Sequence, residues 1–452
     1  MSNLPKKRRR PQNLNRLIAL AFLSIIAVGT GLLMLPVASR DGQSAGFVTS
    51  LFTATSSTCV TGLILKDTFT QWSGFGQIVI ITMIEIGGLG FMSVASFMIF
   101  VLRRKVNINQ RMLMAQSLGV ENMSDATRIQ KRMLIGSIGV QALGGILLTI
   151  RFCRDFPFLT SLKLGFFHAI SAFCNAGFDI LGFIEPGCSV APYGKDIAVV
   201  AILTFLIVFG GLGFIVWDEV FRFRSPKKWS VYTRLVLITS AALLIVGAGL
   251  IYLTEWNNPL TLGSMTTADK LTAGFFQSVT TRTAGFDGLG QGGLTDAGKG
   301  ITDFLMLIGG SSGSTAGGLK TVTFTVIVLF LLSKLRGKDT LTVFHRTIPE
   351  KLVTNALTIF GIMVLLAFIG ATVISGTSPV SFTDGLFESV SALATVGLTA
   401  GATPQLSLVG KILIIIYMYF GRVGILTISL GFLSGDRTEK KYHYAKANLL
   451  IG

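Results

Sequence analysis

The chain has 452 residues, 50% of them hydrophobic and only 13% charged. A soluble domain carries nearly twice that charge fraction, and several apolar runs reach the roughly 20 residues that cross a bilayer as a helix, so a soluble fold is excluded. The formal charge of +17 does not imply nucleic acid, because the basic residues fall between the apolar segments, as the positive-inside rule expects.

The first block, residues 1–14, is basic, with Lys6, Lys7, Arg8, Arg9 and Arg10 ahead of the apolar run Leu17–Pro36. That run is long for a signal peptide and lacks a small-residue cleavage site, so it reads as a retained helix with a cytoplasmic N-terminus. Residues 15–105 form a first repeat. It has a re-entrant helix near Phe47–Ser57, a loop at Val60, Thr61 and Gly62, and an inner helix near Phe75–Leu102 that Arg103, Arg104 and Lys105 stop. Residues 106–131 read as a polar cytoplasmic linker. The second repeat, 132–225, has an outer helix near Met133–Ile150, a loop at Asn175, Ala176 and Gly177, and an inner helix near Asp196–Phe221. The third, 226–337, has an outer helix near Leu235–Leu253, a loop at Thr283, Ala284 and Gly285, and an inner segment near Ile301–Leu335. The fourth, 338–434, turns at Thr395, Val396 and Gly397, and residues 435–452 form a basic tail with Arg437, Lys440, Lys441 and Lys446.

The four loop glycines recur at about 110 residues, and such fixed-period self-similarity marks a repeat architecture. Order, spacing and flanking pattern agree in all four copies, which argues against unrelated glycine turns. The expected fold is an all-α polytopic membrane protein with eight spanning helices and four pore helices, its four parallel repeats set around a central pore. Both termini and the three basic linkers then lie on the cytoplasmic side. Glycine permits φ > 0, so each loop can turn successive carbonyls toward an ion, and a ring of carbonyls can replace a cation's hydration shell. The candidate filter is Val60, Thr61, Gly62, Asn175, Ala176, Gly177, Thr283, Ala284, Gly285, Thr395, Val396 and Gly397.

The run Gly309, Gly310, Ser311, Ser312, Gly313, Ser314, Thr315, Ala316, Gly317, Gly318 interrupts the inner helix of the third repeat. Glycine costs about 1 kcal/mol per helix position, so the segment should unwind, which membrane depth tolerates only in a cavity or against protein. It reads as a gate below the filter, with a close-packing glycine seam as the alternative. Arg422 sits mid-helix at the position of Gly88 and Gly211 and should face the axis, bonding that loop and opposing cation passage. Glu85 is its candidate counter-charge, or that of Lys320. Arg282 and Glu388 should hold loop shape without touching the ion. Asp67, Asp179 and Asp287 could concentrate cations at the outer mouth or be solvated surface charge. Cys59, Cys153, Cys174 and Cys188 show no metal spacing, and His168, His345 and His443 are scattered. A Cys153–Cys188 disulfide fits the outer face. Convergent acid, base or metal ligands for an enzyme are missing, and a secondary transporter for an organic solute would call for inverted symmetry.

The four loops, the glycine-rich break and the Arg422 position resemble the Ktr/Trk/HKT superfamily of potassium transporters over nearly the whole chain. The chain opens directly with the first repeat, which is similar to the KtrB-type membrane subunit. That resemblance implies potassium uptake at the plasma membrane, often stimulated by sodium. It also implies a homodimer with a pore in each protomer and a cytosolic KtrA-type ring that binds ATP or ADP, with no covalent cofactor. Sodium-preferring members replace the first filter glycine with serine, whereas Gly62 is glycine here. A sodium-selective or poorly selective transporter of the same architecture is the alternative. Glu85 and Asp287 stand where the resemblance implies amide residues.

Overall fold

Four times along the chain a long apolar helix leads into a short buried one, a glycine loop and a second helix. The computed structural model describes residues 14–90, 123–223, 225–338 and 340–424. The basic blocks Lys6–Arg10 and Arg103–Lys105, most of the 106–131 linker and the 435–452 tail lie outside the described residues.

The outer helices are Leu14–Leu33, Met123–Phe152, Val231–Glu255 and Glu350–Thr377, and each contains a stretch long and apolar enough to cross a membrane. Their free faces stay apolar, with Ile245 70% and Leu253 82% exposed, a surface that water would penalise and lipid would not. The second begins at Met123, within the stretch read as linker.

The pore helices, Phe47–Thr58, Phe158–Cys174, Thr267–Thr280 and Phe382–Ala394, have 12, 17, 14 and 13 residues, too few to span the roughly 30 Å of hydrocarbon. Two of them start on a hydroxyl N-cap. Thr266 Oγ1 accepts from Asp269 N at 3.3 Å, and Ser381 Oγ from Asp384 N at 3.1 Å.

The inner helices are Gly74–Leu89, Ile197–Leu212, Asp296–Leu307 and Leu408–Val423. Each starts on a capping side chain (Ser73, Asp196, Thr295, Ser407) that accepts from a first-turn amide. Each is shorter than its apolar sequence. In the first, second and fourth repeats the helix ends at a glycine with positive φ, Gly90 (84°), Gly213 (87°) and Gly424 (90°). In the second repeat, helix Phe214–Arg222 continues beyond the elbow at 96° to Ile197–Leu212, so the continuous Asp196–Phe221 helix read from sequence is two. In the third repeat the break widens into a loop before Thr321–Leu335.

Within every repeat the outer helix packs on its own pore helix, and every inner helix packs on the pore helix of the next repeat. The fourth inner helix packs on the first pore helix, which closes the ring, and Tyr419 Oη donates to Ala19 O at 2.9 Å across the seam. The connection between repeats three and four, read only as basic, contains a hairpin, Thr342–Val343 with Arg346–Thr347. Its Leu341, Val343 and Ile348 pack on Val326 and Val353. Cys153 and Cys188 are free, with Cys188 Sγ directed at Leu181 O, so the disulfide is not formed.

Candidate functional site

The site is built from the C-terminal ends of the pore helices. In three repeats the helix closes in a Schellman-type turn: Thr61 N donates to Ser56 O, Ala176 N to Ser171 O and Val396 N to Ser391 O, each at 2.8 Å. The residue that turns left-handed is Val60 (φ 56°), Asn175 (58°) or Thr395 (51°), and Thr283 (63°) takes the same place in the third repeat. Left-handed backbone at a β-branched residue is a genuine outlier that costs about 1–3 kcal/mol. It persists because the turn is pinned from both sides: Ser56 Oγ and Ser391 Oγ accept from Gly62 N and Gly397 N at 3.1 Å, and Thr280 Oγ1 donates to Phe286 O at 2.8 Å.

The next residue but one is the repeat glycine, and the four glycines meet. A methyl group on Gly285 would lie 3.2 Å from the Cα of both Gly177 and Gly397, and one on Gly62 would lie 3.3 Å from Gly177 Cα and 3.2 Å from Gly397 Cα. Each glycine also abuts the carbonyl that precedes the glycine of the following repeat. The same added methyl would reach Ala176 O from Gly62 (2.5 Å), Ala284 O from Gly177 (2.9 Å), Val396 O from Gly285 (2.2 Å) and Thr61 O from Gly397 (2.1 Å). The four glycines and the four residues before them thus form one cyclic backbone ring. Glycine relieves two strains there, its φ and the approach of a Cβ to the neighbouring carbonyl, the second being closest at Gly397 and Gly285 and looser at Gly62 and Gly177.

A second layer lies against the inner-helix glycine clusters. A methyl on Gly87 would lie 2.0 Å from Thr58 O, on Gly210 2.0 Å from Phe173 O and on Gly421 2.3 Å from Leu393 O, so these glycines let each inner helix touch its own pore-helix end. The Gly309–Gly318 loop fills this layer without helical bonds of its own. Ser311 N donates to Gly211 O at 3.0 Å and Thr315 N to Gly210 O at 3.3 Å. Thr315 Oγ1 reaches Phe173 O at 3.1 Å, and Ser311 Oγ donates to Leu212 O. On the other side, Gly317 lies against the Thr395 side chain and Gly318 against Ala394. Ser312 O accepts from Tyr232 Oη at 2.8 Å, and Gly313 O from Phe214 N at 3.0 Å. Ser314 Oγ folds back to Ser311 O, and Ala316 O accepts from Lys320 Nζ at 2.7 Å.

Arg422 closes the layer from the fourth repeat. Its Nη1 donates to Thr315 O, and its Nη2 to Gly87 O at 2.5 Å and Gly88 O at 3.0 Å. Those carbonyls belong to the last turn of the first inner helix, which has no intrahelical donors for them and carries the negative end of the dipole. Arg422 is therefore satisfied by backbone. Glu85 is not its counter-charge: its carboxylate accepts from Gln141 Nε2 at 3.1 and 3.2 Å and from Cys174 Sγ at 3.3 Å.

Arg282 ties the third pore helix to the loop through Gly309 O (3.3 Å) and Thr321 Oγ1 (3.2 Å) and to the outer helix through Ser240. Glu388, fully buried, accepts from Thr399 Oγ1, Ala400 N and Thr403 Oγ1, so it shapes the segment beyond Gly397. Each donor left unsatisfied in a buried site costs about 1–3 kcal/mol. Glu388→Leu should lower thermal stability in detergent sharply and Glu388→Gln much less; equal melting temperatures would refute this role. The three mouth acids each accept from backbone amides and so also shape turns. Asp67 accepts from Thr70 N (2.8 Å) and Gly187 N (3.1 Å), Asp179 from Leu181 N (3.1 Å), and Asp287 from Leu289 N, Gly290 N and Gln291 N. Tyr232 and the Gly213 elbow are contacts that sequence reasoning missed. Nothing around Tyr232 marks it, whereas the repeat of glycine at 90, 213 and 424 could have revealed the elbow.

Residues 7–441 match the TrkH family, described as cation transport protein. The chain is 38% identical to the potassium/sodium uptake protein NtpJ of Enterococcus hirae, with all of both chains covered. It is 36% identical to the Ktr system potassium uptake protein B of Bacillus subtilis, with 94% of each covered. The crystal structure of the potassium transporter TrkH from Vibrio parahaemolyticus matches the fold with a TM-score of 0.72 at 16% identity, covering 95% of this chain and 87% of that one. A repeat ring of this kind, carried in a chain similar over its full length to such proteins, is a membrane transporter and not an enzyme, and the chain belongs to the TrkH family of cation transport proteins.

Proposed function

We propose that the chain takes up potassium across the plasma membrane, with residues 60–62, 175–177, 283–285 and 395–397 as the filter and the Gly309–Gly318 loop with Arg422 as the gate. The observation that carries this is the cyclic contact of four glycines with four carbonyls, an arrangement suited to stripping water from a monovalent cation. The pore helices support it by directing their negative C-terminal ends to the same place. The repeats proposed from the sequence (15–105, 132–225, 226–337 and 338–434) each contribute one loop. Both termini face the cytoplasm in this reading. Likeness to Ktr system potassium uptake proteins supports a membrane subunit that works with other components of such a system; in this proposal those components are a second copy of the chain and a KtrA-type ATP- or ADP-binding ring, with sodium as an activator. A second reading, transport of sodium as well, is favoured by likeness to a potassium/sodium uptake protein.

Uptake of rubidium and of sodium into reconstituted vesicles, with Gly62→Ser beside the wild type, tests the two readings. Potassium selectivity predicts that the wild type prefers rubidium and that Gly62→Ser loses about tenfold or more of that preference. Equal preference in both proteins, or sodium preference in the wild type, would overturn it.

A further inference from the structure

Beyond the elbow at Gly213 the second repeat leaves the direction of its inner helix at 96°. With Ile197–Leu212 along the membrane normal, helix Phe214–Arg222 lies close to the membrane plane. Its residues suit that place. Phe221 is 72% exposed, Trp229 supplies an amphipathic ring of the kind that gathers at the lipid headgroups, and Arg222, Lys227 and Lys228 supply positive charge. Between this helix and the start of the second outer helix is a cavity of about 380 Å³, lined by Arg132, Gly136, Phe214, Trp217, Phe221 and Arg222, with Met133 and Asp218 completing it. Arg132 bonds Asp218 at 3.0 Å but keeps 61% of its side chain exposed, so it has donors free for a further anion. Two arginines against one carboxylate leave the cavity cationic, and its apolar wall and floor (Phe214, Trp217, Phe221) suit an acyl stem.

The same helix holds the intramembrane loop. Phe214 N donates to Gly313 O at 3.0 Å, and a methyl on Gly213 would lie 2.4 Å from Ser311 Oγ. Trp217, which lines the cavity, donates through Nε1 to Phe209 O at 3.0 Å and lies 4.1 Å from the Phe209 ring, bracing the elbow from within. A ligand that shifts Trp217 therefore shifts the residue that carries the loop.

We propose that this cavity binds the phosphate headgroup of an anionic phospholipid, and that its occupancy sets the position of the Gly309–Gly318 loop through the Gly213 elbow. The coupling half rests on the gating role proposed above; the binding half does not.

Two measurements on the full-length protein separate them. Native mass spectrometry counts phosphatidylglycerol retained by wild type and by the Arg132→Gln/Arg222→Gln double variant. Rubidium flux is then read in phosphatidylcholine vesicles with and without 30% phosphatidylglycerol (about a third of the lipid, in the range of anionic leaflets), and with soluble glycerol phosphate. Wild type should retain the anionic lipid, the double variant should retain it about tenfold less, and only wild type should change flux when the lipid is added. Equal retention overturns the site. Retention lost with unchanged lipid dependence of flux overturns the coupling, and an equal response to glycerol phosphate assigns the site to free phosphate and overturns the lipid. A changed oligomeric state with lipid retained would mark a contact between copies and also overturn it.

Discussion

Gly397→Ala should all but abolish rubidium uptake while leaving the protein folded. The added methyl would lie 2.1 Å from Thr61 O and 2.9 Å from Gly62 Cα, against the 3.4 Å or so of ordinary contact, and both neighbours are backbone with no rotamer to retreat into. The positive φ of 99° adds a strain of about 1–2 kcal/mol. Displacing one carbonyl of four by an ångström raises the barrier to dehydration, and a rise of about 2–3 kcal/mol cuts flux roughly 30- to 160-fold. Gly401→Ala is the control. Its φ is similarly positive at 88° but nothing lies within 4 Å of the added methyl, so it should lose some stability and keep its uptake. If both variants transport equally well, the ring is not the conducting element.

Arg422→Ala should have the opposite sign, raising flux in the resting protein. The guanidinium joins Thr315 O of the loop to Gly87 O and Gly88 O of the first inner helix, and hydrogen bonds to a charged donor contribute about 1.5–3 kcal/mol each. Removing the tether shifts the loop toward its displaced arrangement by roughly tenfold or more and removes a positive charge below the ring. Arg422→Lys separates the two effects. It keeps the charge but cannot reach carbonyls on two repeats with a rigid fork, so an intermediate flux assigns part of the restraint to the tether. Unaltered rubidium flux in Arg422→Ala would defeat the gating role.

The repeat was legible because its signals are local: a glycine at a fixed interval, an apolar run on either side, and a charge, Arg422, where charge is costly. The membrane placement followed from length and composition. What was not legible depends on contacts between repeats. Glu85 and Arg422 look like partners in sequence because both are charges at depth, but Arg422 is nearer the exposed carbonyls of a helix end, and Glu85 meets Gln141 and Cys174 across the neighbouring repeat. The turns at Val60, Thr283 and Thr395 were hidden for another reason. A left-handed helix end is announced by glycine or asparagine, and only Asn175 gives that cue. The elbow at Gly213 was read as helix because residues on both sides are apolar, and apolarity does not report direction. The turn-shaping contacts of Asp67, Asp179 and Asp287 were hidden because backbone amides that donate to a carboxylate leave no mark in sequence.

The closure of the ring has a bearing on biosynthesis. Each carbonyl of the passage abuts a glycine contributed by a different quarter of the polypeptide, and the last quarter seals against the first, with Tyr419 and Ala19 400 positions apart. Three quarters of the chain alone lack one of the four glycines and one of the four carbonyls that complete the ring. The ring is therefore a property of all four repeats together, and it is not complete before the fourth repeat has packed on the first.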